Sequence, residues 1–435
     1  MSYKKNIASN FIFQIMKIIL GFGISIIIAR ALGAQGQGEY SYLILIFGLL
    51  GSYGHGGILN ATTYYYKRTN YEDSEVFSTN LIYCLVNSLI LILVISFLKY
   101  KNIFLDGYNN GVLLIGLIYI MFSYSQTLLN SLYIGSERIH EANIYKFYGH
   151  LIYFFLLLIL FFFKKLNVML VVVLNLLNFV VGSILLLSKL NIKFVPKINY
   201  TLLKAEFKYG VIVYFSSLFI FLNYRADQFM IKFYLNTTDL GIYSIAVKLA
   251  ELLFLIPDSI TTALSGHLYN MEVDDTKSQK SVLAKTSKYT FYASLILCVV
   301  GIFMTPLVPY VYGEEFVRTK STIIILFIGI IFASIGKVSY SYFFTRGQPQ
   351  IHLYITAATL TINIILNSFF IPKWGIDGAA FASTISYIFY GLAYLIVFKV
   401  KEGIPFRDFF YVSRKEISDI MNIFKARLKK SHSVE

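Results

Sequence analysis

Charge is what this sequence has least of. Of 435 residues only 14% are Asp, Glu, Lys or Arg, where a soluble protein carries about 25%. Cysteine is nearly absent: Cys84 and Cys298 both sit in apolar runs, which excludes a disulfide framework and a CxxC metal site. The six histidines (His55, His140, His150, His267, His352, His432) are scattered with no HxxxH pair. No metal site is read from them, and no metal-dependent enzyme is expected. There is no GxxxxGK[ST], so the chain is not expected to be an ATPase. The seven prolines leave long stretches unbroken.

What is present is hydrophobic: 57% of residues, with a mean hydropathy of +0.65. Apolar runs of eighteen or more residues recur from end to end, so the expected class is an all-α integral membrane protein. Twelve spans are read, at 9–30, 41–62, 79–98, 111–134, 147–164, 167–188, 209–231, 241–265, 289–311, 319–343, 351–371 and 377–399. Each is near the roughly 20 residues that cross about 30 Å of hydrocarbon. The first run holds Asn10, Gln14 and Lys17 and lacks a small-residue cleavage pattern, so it is read as a span, not a cleaved signal peptide.

The net charge of +15 resolves into a topology signal, so no nucleic-acid partner is expected. With the N-terminus inside, 25 of the 38 lysines and arginines fall in inner segments and 9 in outer ones. That asymmetry places both termini in the cytoplasm. Four cations, Lys17, Arg225, Lys248 and Lys337, remain inside spans. In the tail, 401–435, Ile417, Ile420, Met421, Phe424 and Leu428 share one helical face with Arg427, Lys429 and Lys430 nearby. This reads as an amphipathic helix against anionic membrane lipid.

The chain also repeats itself. A shift of 203 residues lays "GEYSY" (38–42) on "GIYSI" (241–245), and a shift of 206 lays Gly107 on Gly313. With a shift of 211, Ser123, Gln126 and Asn130 fall on Ser334, Lys337 and Ser341, a polar stripe at i, i+3, i+7 in each copy. Two six-helix lobes are expected, 1–200 and 201–400, with a site between repeats as in transporters.

Ionisable and polar residues at membrane depth are functional candidates because they are costly there. Asn10, Gln14 and Lys17 share a face of the first span, with no acidic residue at i±3 or i±4 from Lys17. Gln126 and Asn130 line the fourth. Arg225 and Asp227 lie in the seventh span. The eighth carries Lys248, Glu251 and Asp258 on one stripe, bent by Pro257. Lys248 and Glu251, at i, i+3, equally fit a pair with each other, and Arg225 and Lys337 equally fit snorkelling to an interface. A basic cavity lined by Lys17, Arg225, Lys248 and Lys337 would suit a phosphate-bearing substrate.

Four motifs carry a family likeness. They are "ARALGAQGQGEYS" (29–41), "DQFMIKFYLNTTDLGIYSIAVKLAELLFLIP" (227–257), "VYGEEF" (311–316), and Gly375–Ile376–Asp377–Gly378–Ala379–Ala380 after Asn363, Asn367 and Ile371–Pro372. Together they resemble elements of the O-antigen and capsular-polysaccharide flippases, within the multidrug/oligosaccharidyl-lipid/polysaccharide exporter superfamily. The resemblance implies alternating-access transfer of an undecaprenyl-diphosphate-linked oligosaccharide from the inner to the outer leaflet of a bacterial cytoplasmic membrane. It implies no cofactor, coupling to H⁺ or Na⁺ with Asp227, Glu251 and Asp258 as candidates, and polymerase and chain-length proteins of the same pathway as partners. The alternatives are a multidrug/cation antiporter of the same superfamily and a membrane polysaccharide polymerase. Short outer loops weigh against the polymerase, so the chain is not expected to be an enzyme. The tight 371–377 junction is expected to be structural: Pro372 ends one helix, Gly375 and Gly378 make the turn, and the Ala/Ser run packs closely.

Overall fold

The computed structural model describes residues 3–68, 71–103, 105, 107–271 and 275–412. The amphipathic face expected at 417–430 lies outside the described residues, as does the side chain of Asn10. The described chain is helical throughout, with no strand among the described residues. The helices are α1 (Tyr3–Tyr53), α2 (Ile58–Arg68), α3 (Asp73–Tyr100), α4 (Gly111–Gly135), α5 (Ile139–Phe162), α6 (Val168–Ser188) and α7 (Tyr200–Tyr234). There follow α8 (Thr237–Glu251), α9 (Leu255–Tyr269), α10 (Thr276–Met304), α11 (Val308–Tyr312), α12 (Thr319–Thr345), α13 (Pro349–Val397) and α14 (Phe406–Phe410).

Two of these are too long to cross a bilayer once. At 1.5 Å per residue, the 51 residues of α1 would run about 75 Å. The backbone leaves the helical region at Gly33, with φ +65°, and divides α1 into two limbs. Likewise α13 breaks at Gly375, with φ +60°, a left-handed value that a glycine adopts without Cβ strain. Its limbs fold back on each other: Asn363 Nδ2 donates to Ser383 Oγ at 3.3 Å, and a Cβ on Gly378 would strike the Phe370 carbonyl. Ala379, Ala380, Ala382 and Ser383 are fully buried, so the small residues serve close packing as expected. Asp377 fastens the turn by accepting from Thr322 Oγ1 at 2.6 Å and Ser321 Oγ at 3.0 Å.

Among the described residues nine helices are long and apolar enough to span a membrane. Two of the nine, α1 and α13, contribute two limbs each, and the 35-residue α7 adds one more. The protein is a multi-pass membrane protein of about twelve spans.

Two spans are broken in ways that their sequences explain. The second passes through Gly54–His55–Gly56–Gly57, where Gly56 and Gly57 take φ +62° and +87°. Carbonyls freed at such a break find no water in hydrocarbon and must be met by protein. Ser123 Oγ donates to the Gly51 carbonyl (3.0 Å), Asn87 Nδ2 to Gly54 (3.3 Å) and Tyr83 Oη to His55 (3.1 Å), while the Leu50 carbonyl, still bonded to the Gly54 amide (2.8 Å), takes a second donor from Tyr124 Oη (3.0 Å). The eighth span tightens into a 3-10 turn over Leu252–Phe254, where Pro257 clashes with the carbonyl four residues back.

Packing divides the chain into two units. The first comprises Met1–Lys248, Met304–Ile325 and Thr356–Ser383, and the second Leu249–Phe303, Leu326–Ile355 and Thr384–Glu435. Leu43, Phe47, Tyr124, Leu128 and Tyr133 centre the main core of the first. In the second, Phe343 stacks on Phe398 with ring centroids 4.8 Å apart, beside Tyr342, Tyr394 and Phe409.

Candidate functional site

In the first unit, polar side chains of α4, α5 and α6 turn toward one another beside the first limb of α1. Lys146, on the second turn of α5, donates from Nζ to Asn130 Oδ1 of α4 at 2.5 Å. One turn further along α5, His150 Nδ1 contacts the Lys146 carbonyl at 3.0 Å. Lys17, half-buried on α1, lies within electrostatic range of both Lys146 and His150. Gln126 stands one turn before Asn130 on α4, and its buried Nε2 lies close to Gly182 of α6. Two lysines and a histidine therefore lie together beside an amide-lined seam. Like charges at such range repel unless an anion sits among them, and the repulsion grows as water is excluded. The arrangement is suited to an anion with several oxygens.

The sequence reading singled out Lys17, which lies within electrostatic range of Lys146, and Gln126 and Asn130, which lie beside Lys146. It missed Lys146 and His150. Lys146 falls one residue before the fifth span, where it counts among the cations of an inner segment, and His150 is one of six scattered histidines. Their i, i+4 spacing on one face of α5 was the available signal. Gln14 is exposed on α1.

Elsewhere in the first unit Arg225 lies within electrostatic range of Tyr53 and Asp227, and its Nη1 donates to the Tyr224 carbonyl at 3.0 Å. Asp227 is 2% exposed and accepts from Tyr243 Oη (2.5 Å), Ser383 Oγ (3.0 Å) and the Gln228 amide (2.7 Å). A carboxylate so fully met by donors ties α7, α8 and the second limb of α13 together. Lys248 is exposed at the end of α8. In the second unit, Lys337 Nζ pairs with Asp258 Oδ1 at 2.6 Å and stands 4.1 Å above the Phe254 ring. Thr261 Oγ1 donates to the Lys337 carbonyl at 2.9 Å. Lys337 is thus held by its own acid, and Glu251 is half-buried in the same unit.

Three of the four family motifs meet at a different place in the first unit, around Gly33. Arg30 Nε donates to the Val311 carbonyl at 2.9 Å, and its Nη2 reaches the Tyr310 carbonyl. The Ala34 amide donates to Glu315 Oε2 at 2.6 Å, and Ser25 Oγ bonds Tyr312 Oη at 2.9 Å. Ser41 Oγ donates to Ser244 Oγ at 2.9 Å, and a Cβ on either Gly38 or Gly241 would collide with backbone of the other segment. Gly38 meets Gly241 and Ser41 meets Ser244, each pair 203 residues apart. Equivalent residues touch only when two copies of a segment lie about a local two-fold axis. The repeat read from sequence is therefore a contact in space, and the motif segments close against one another there.

The described chain is thus all-helical, with about twelve spans and with repeat-equivalent residues in contact around Gly38 and Gly241. The structure of an inward-facing multidrug resistance MATE family transporter of the MOP superfamily is similar, with 13% identity, a TM-score of 0.68, and coverage of 86% of this chain and 92% of that one. So is the lipid II flippase MurJ in an inward closed conformation, with 15% identity, a TM-score of 0.69, and coverage of 96% and 92%. A MOP superfamily transporter from Pyrococcus furiosus, described as having a binding pocket of reverse polarity, shares 15% identity at a TM-score of 0.56, with coverage of 90% and 94%. No curated protein matches the sequence. The family described as "Polysaccharide biosynthesis protein" matches residues 3–265, more than half of the chain, and the chain belongs to that family.

Proposed function

We propose that this protein flips an undecaprenyl-diphosphate-linked oligosaccharide from the inner to the outer leaflet of a bacterial cytoplasmic membrane, by alternating access between two lobes. The carrying observation is the convergence of Lys17, Lys146 and His150 on the seam with Gln126 and Asn130. Membership of a polysaccharide biosynthesis family and likeness to a lipid II flippase fold support the same reading. The lysines would hold the diphosphate as point charges, the amides would face the first sugars, and the prenyl chain would stay in the bilayer. Arg225 would extend the basic path. The likeness to MATE structures keeps a cation antiporter as the second reading, but clustered lysines repel the amphiphilic cations that such a protein carries. No covalent chemistry is required, so the protein acts as a transporter and not as an enzyme, without a cofactor.

The test is glycan analysis in a deletion strain complemented with Lys17→Ala plus Lys146→Ala. Accumulation of lipid-linked oligosaccharide on the inner leaflet, with the variant at normal abundance in the membrane, is the expected result. Full surface glycan in that double variant refutes the basic-seam mechanism.

A further inference from the structure

Glu206 lies three residues before the seventh span and is wholly buried. It sits on α7 where that helix, the first of the second lobe, packs against α2 and α3 of the first. The junction is tightly made. A Cβ on Gly210 would strike the Gly57 carbonyl, and one on Gly57 the Gly210 carbonyl. The linker before α7 is stitched to the start of α3: the Val195 amide donates to Ser78 Oγ (2.8 Å), the Asn199 amide to Thr79 Oγ1 (3.0 Å), and Asn199 Nδ2 to Glu75 Oε1 (2.8 Å).

Within this junction Asn80 Nδ2 donates to Glu206 Oε1 at 3.0 Å and to Thr62 Oγ1 at 3.2 Å. The other oxygen of each partner, Glu206 Oε2 and Asn80 Oδ1, is buried with no hydrogen-bond partner among the described residues. Two orphaned acceptors on touching side chains are costly. A carboxylate lacks a proton to donate, whereas a carboxylic acid supplies one at this spot. No described residue makes an ion pair with Glu206. Tyr65 of α2 and Cys84 of α3 face it electrostatically, and neither side chain can carry a positive charge to pair with it. Lys204 and Lys208, two residues to either side on α7, are on its exposed face. The side chains of Lys67 and Arg68 at the end of α2 lie outside the described residues.

We propose that Glu206 is a proton-binding site, protonated while α7 is docked on α2 and α3, and that it releases its proton when the two lobes separate there. Burial pushes its carboxyl up to about 7, against the opposing influence of Asn80, which donates to it, and of the nearby Thr62 hydroxyl. Water reaching the parted junction returns the group to the ordinary carboxylate range, so separation at neutral pH discharges a proton to the inner side. The protonation itself is independent of the flippase reading, and only its use to drive transport rests on that reading.

The sign of the linkage fixes the test. A carboxyl whose value is raised by folding contributes stability that is present in full below its unfolded value and is lost as pH rises through about 7. The full-length protein in detergent is expected to show a melting temperature that falls across this window. Glu206→Gln, a permanent mimic of the protonated acid, is expected to abolish the fall. Infrared difference spectra of the wild type should show a carboxylic-acid band that titrates near pH 7 and is missing from Glu206→Gln. A Gln variant with the wild-type pH profile overturns the proposal. So does the absence of a titrating carboxylic-acid band in the wild type, a measurement that stands even if the variant does not accumulate. Loss of transport in Glu206→Gln with both physical signatures intact would instead count against Glu206 as the proton site while leaving the flippase reading in place.

Discussion

If the seal around Gly38 and Gly241 is a contact that must open, adding one methyl group there has a calculable effect. The built Cβ of Gly38 overlaps the Thr237 carbonyl, and that of Gly241 overlaps the Ala34 carbonyl. Both obstacles are backbone, so no side chain can swing aside and the two segments must separate. Overpacking of this kind costs about 1–3 kcal/mol, which multiplies the open population by about 5 to 150. The assay is the rate at which a membrane-impermeant maleimide modifies Ser41→Cys, whose position is shielded by Ser244 and Gln37 when the end is closed. Cys84 and Cys298 are buried and can stay in place. When opening is fast relative to labelling, the rate scales with the open fraction, so Gly38→Ala and Gly241→Ala should each raise it at least about fivefold. The two effects should be similar, because the residues are repeat-equivalent, and less than additive together, because one displacement relieves both. Gly48→Ala, on the same limb with nothing within 4 Å, should leave the rate unchanged. Equal rates in all three variants would refute the seal.

Other consequences are open to simpler experiments. Reporters fused after residue 70, 200, 275 or 435 should read cytoplasmic and those after 105 or 315 periplasmic; a periplasmic C-terminus would overturn the charge-based topology. Lys17→Ala and Lys146→Ala should each lower transport about ten- to a hundredfold at normal abundance, the worth of one charged hydrogen bond of about 1.5–3 kcal/mol. Gly378→Leu should reduce protein level, since the Phe370 backbone occupies the space; normal abundance with altered substrate preference would place that turn in the site. Asp258→Asn should cost more stability than Lys337→Met, about 2 kcal/mol against less than about 1. The reason is the stranded partner: Lys337 is 14% exposed and Asp258 45%. Thermal unfolding in detergent checks the order, and the reverse order refutes it.

What could be read in the sequence follows from what each pattern constrains. The spans were legible because hydrocarbon demands long apolar runs, and the 371–377 turn because glycine frees the backbone. Yet only Gly375 makes the turn; Pro372 lies inside the helix before it, and Gly378 serves close packing against Phe370. The bend at Pro257 was legible because proline restricts the backbone locally. The break at Gly54–Gly57 was not, since the carbonyls beside it are met by Tyr83, Asn87 and Ser123 from other helices. Candidate cations were found by scarcity, and scarcity does not report direction. Lys337 and Asp258 stand 79 residues apart in sequence yet pair, while Lys146 lay one residue outside an assumed span and was set aside. Glu206 was missed for the same reason, being adjacent to a span and flanked by lysines that mark a loop.

The repeat offers the one route from sequence alone to a long-range contact, and the physics of symmetry explains why. A gene that doubles gives two lobes with the same surface. If those surfaces bind each other about a two-fold axis, residues on the axis must meet their own counterparts. Counterparts with side chains of any size would then compete for one volume, so an axis position favours residues that are small or self-complementary. Glycine against glycine and serine hydroxyl against serine hydroxyl satisfy that condition, which is what 38/241 and 41/244 contain. Repeat-equivalent pairs away from the axis, such as Gln126 and Lys337, are free of it and have diverged in charge. By this argument Ser41→Leu or Ser244→Leu should disrupt the seal on its own, with faster maleimide labelling at a neighbouring position such as Gln37→Cys. If a leucine at either position leaves that labelling slow, the contact between equivalents is incidental and the axis does not organise the seal.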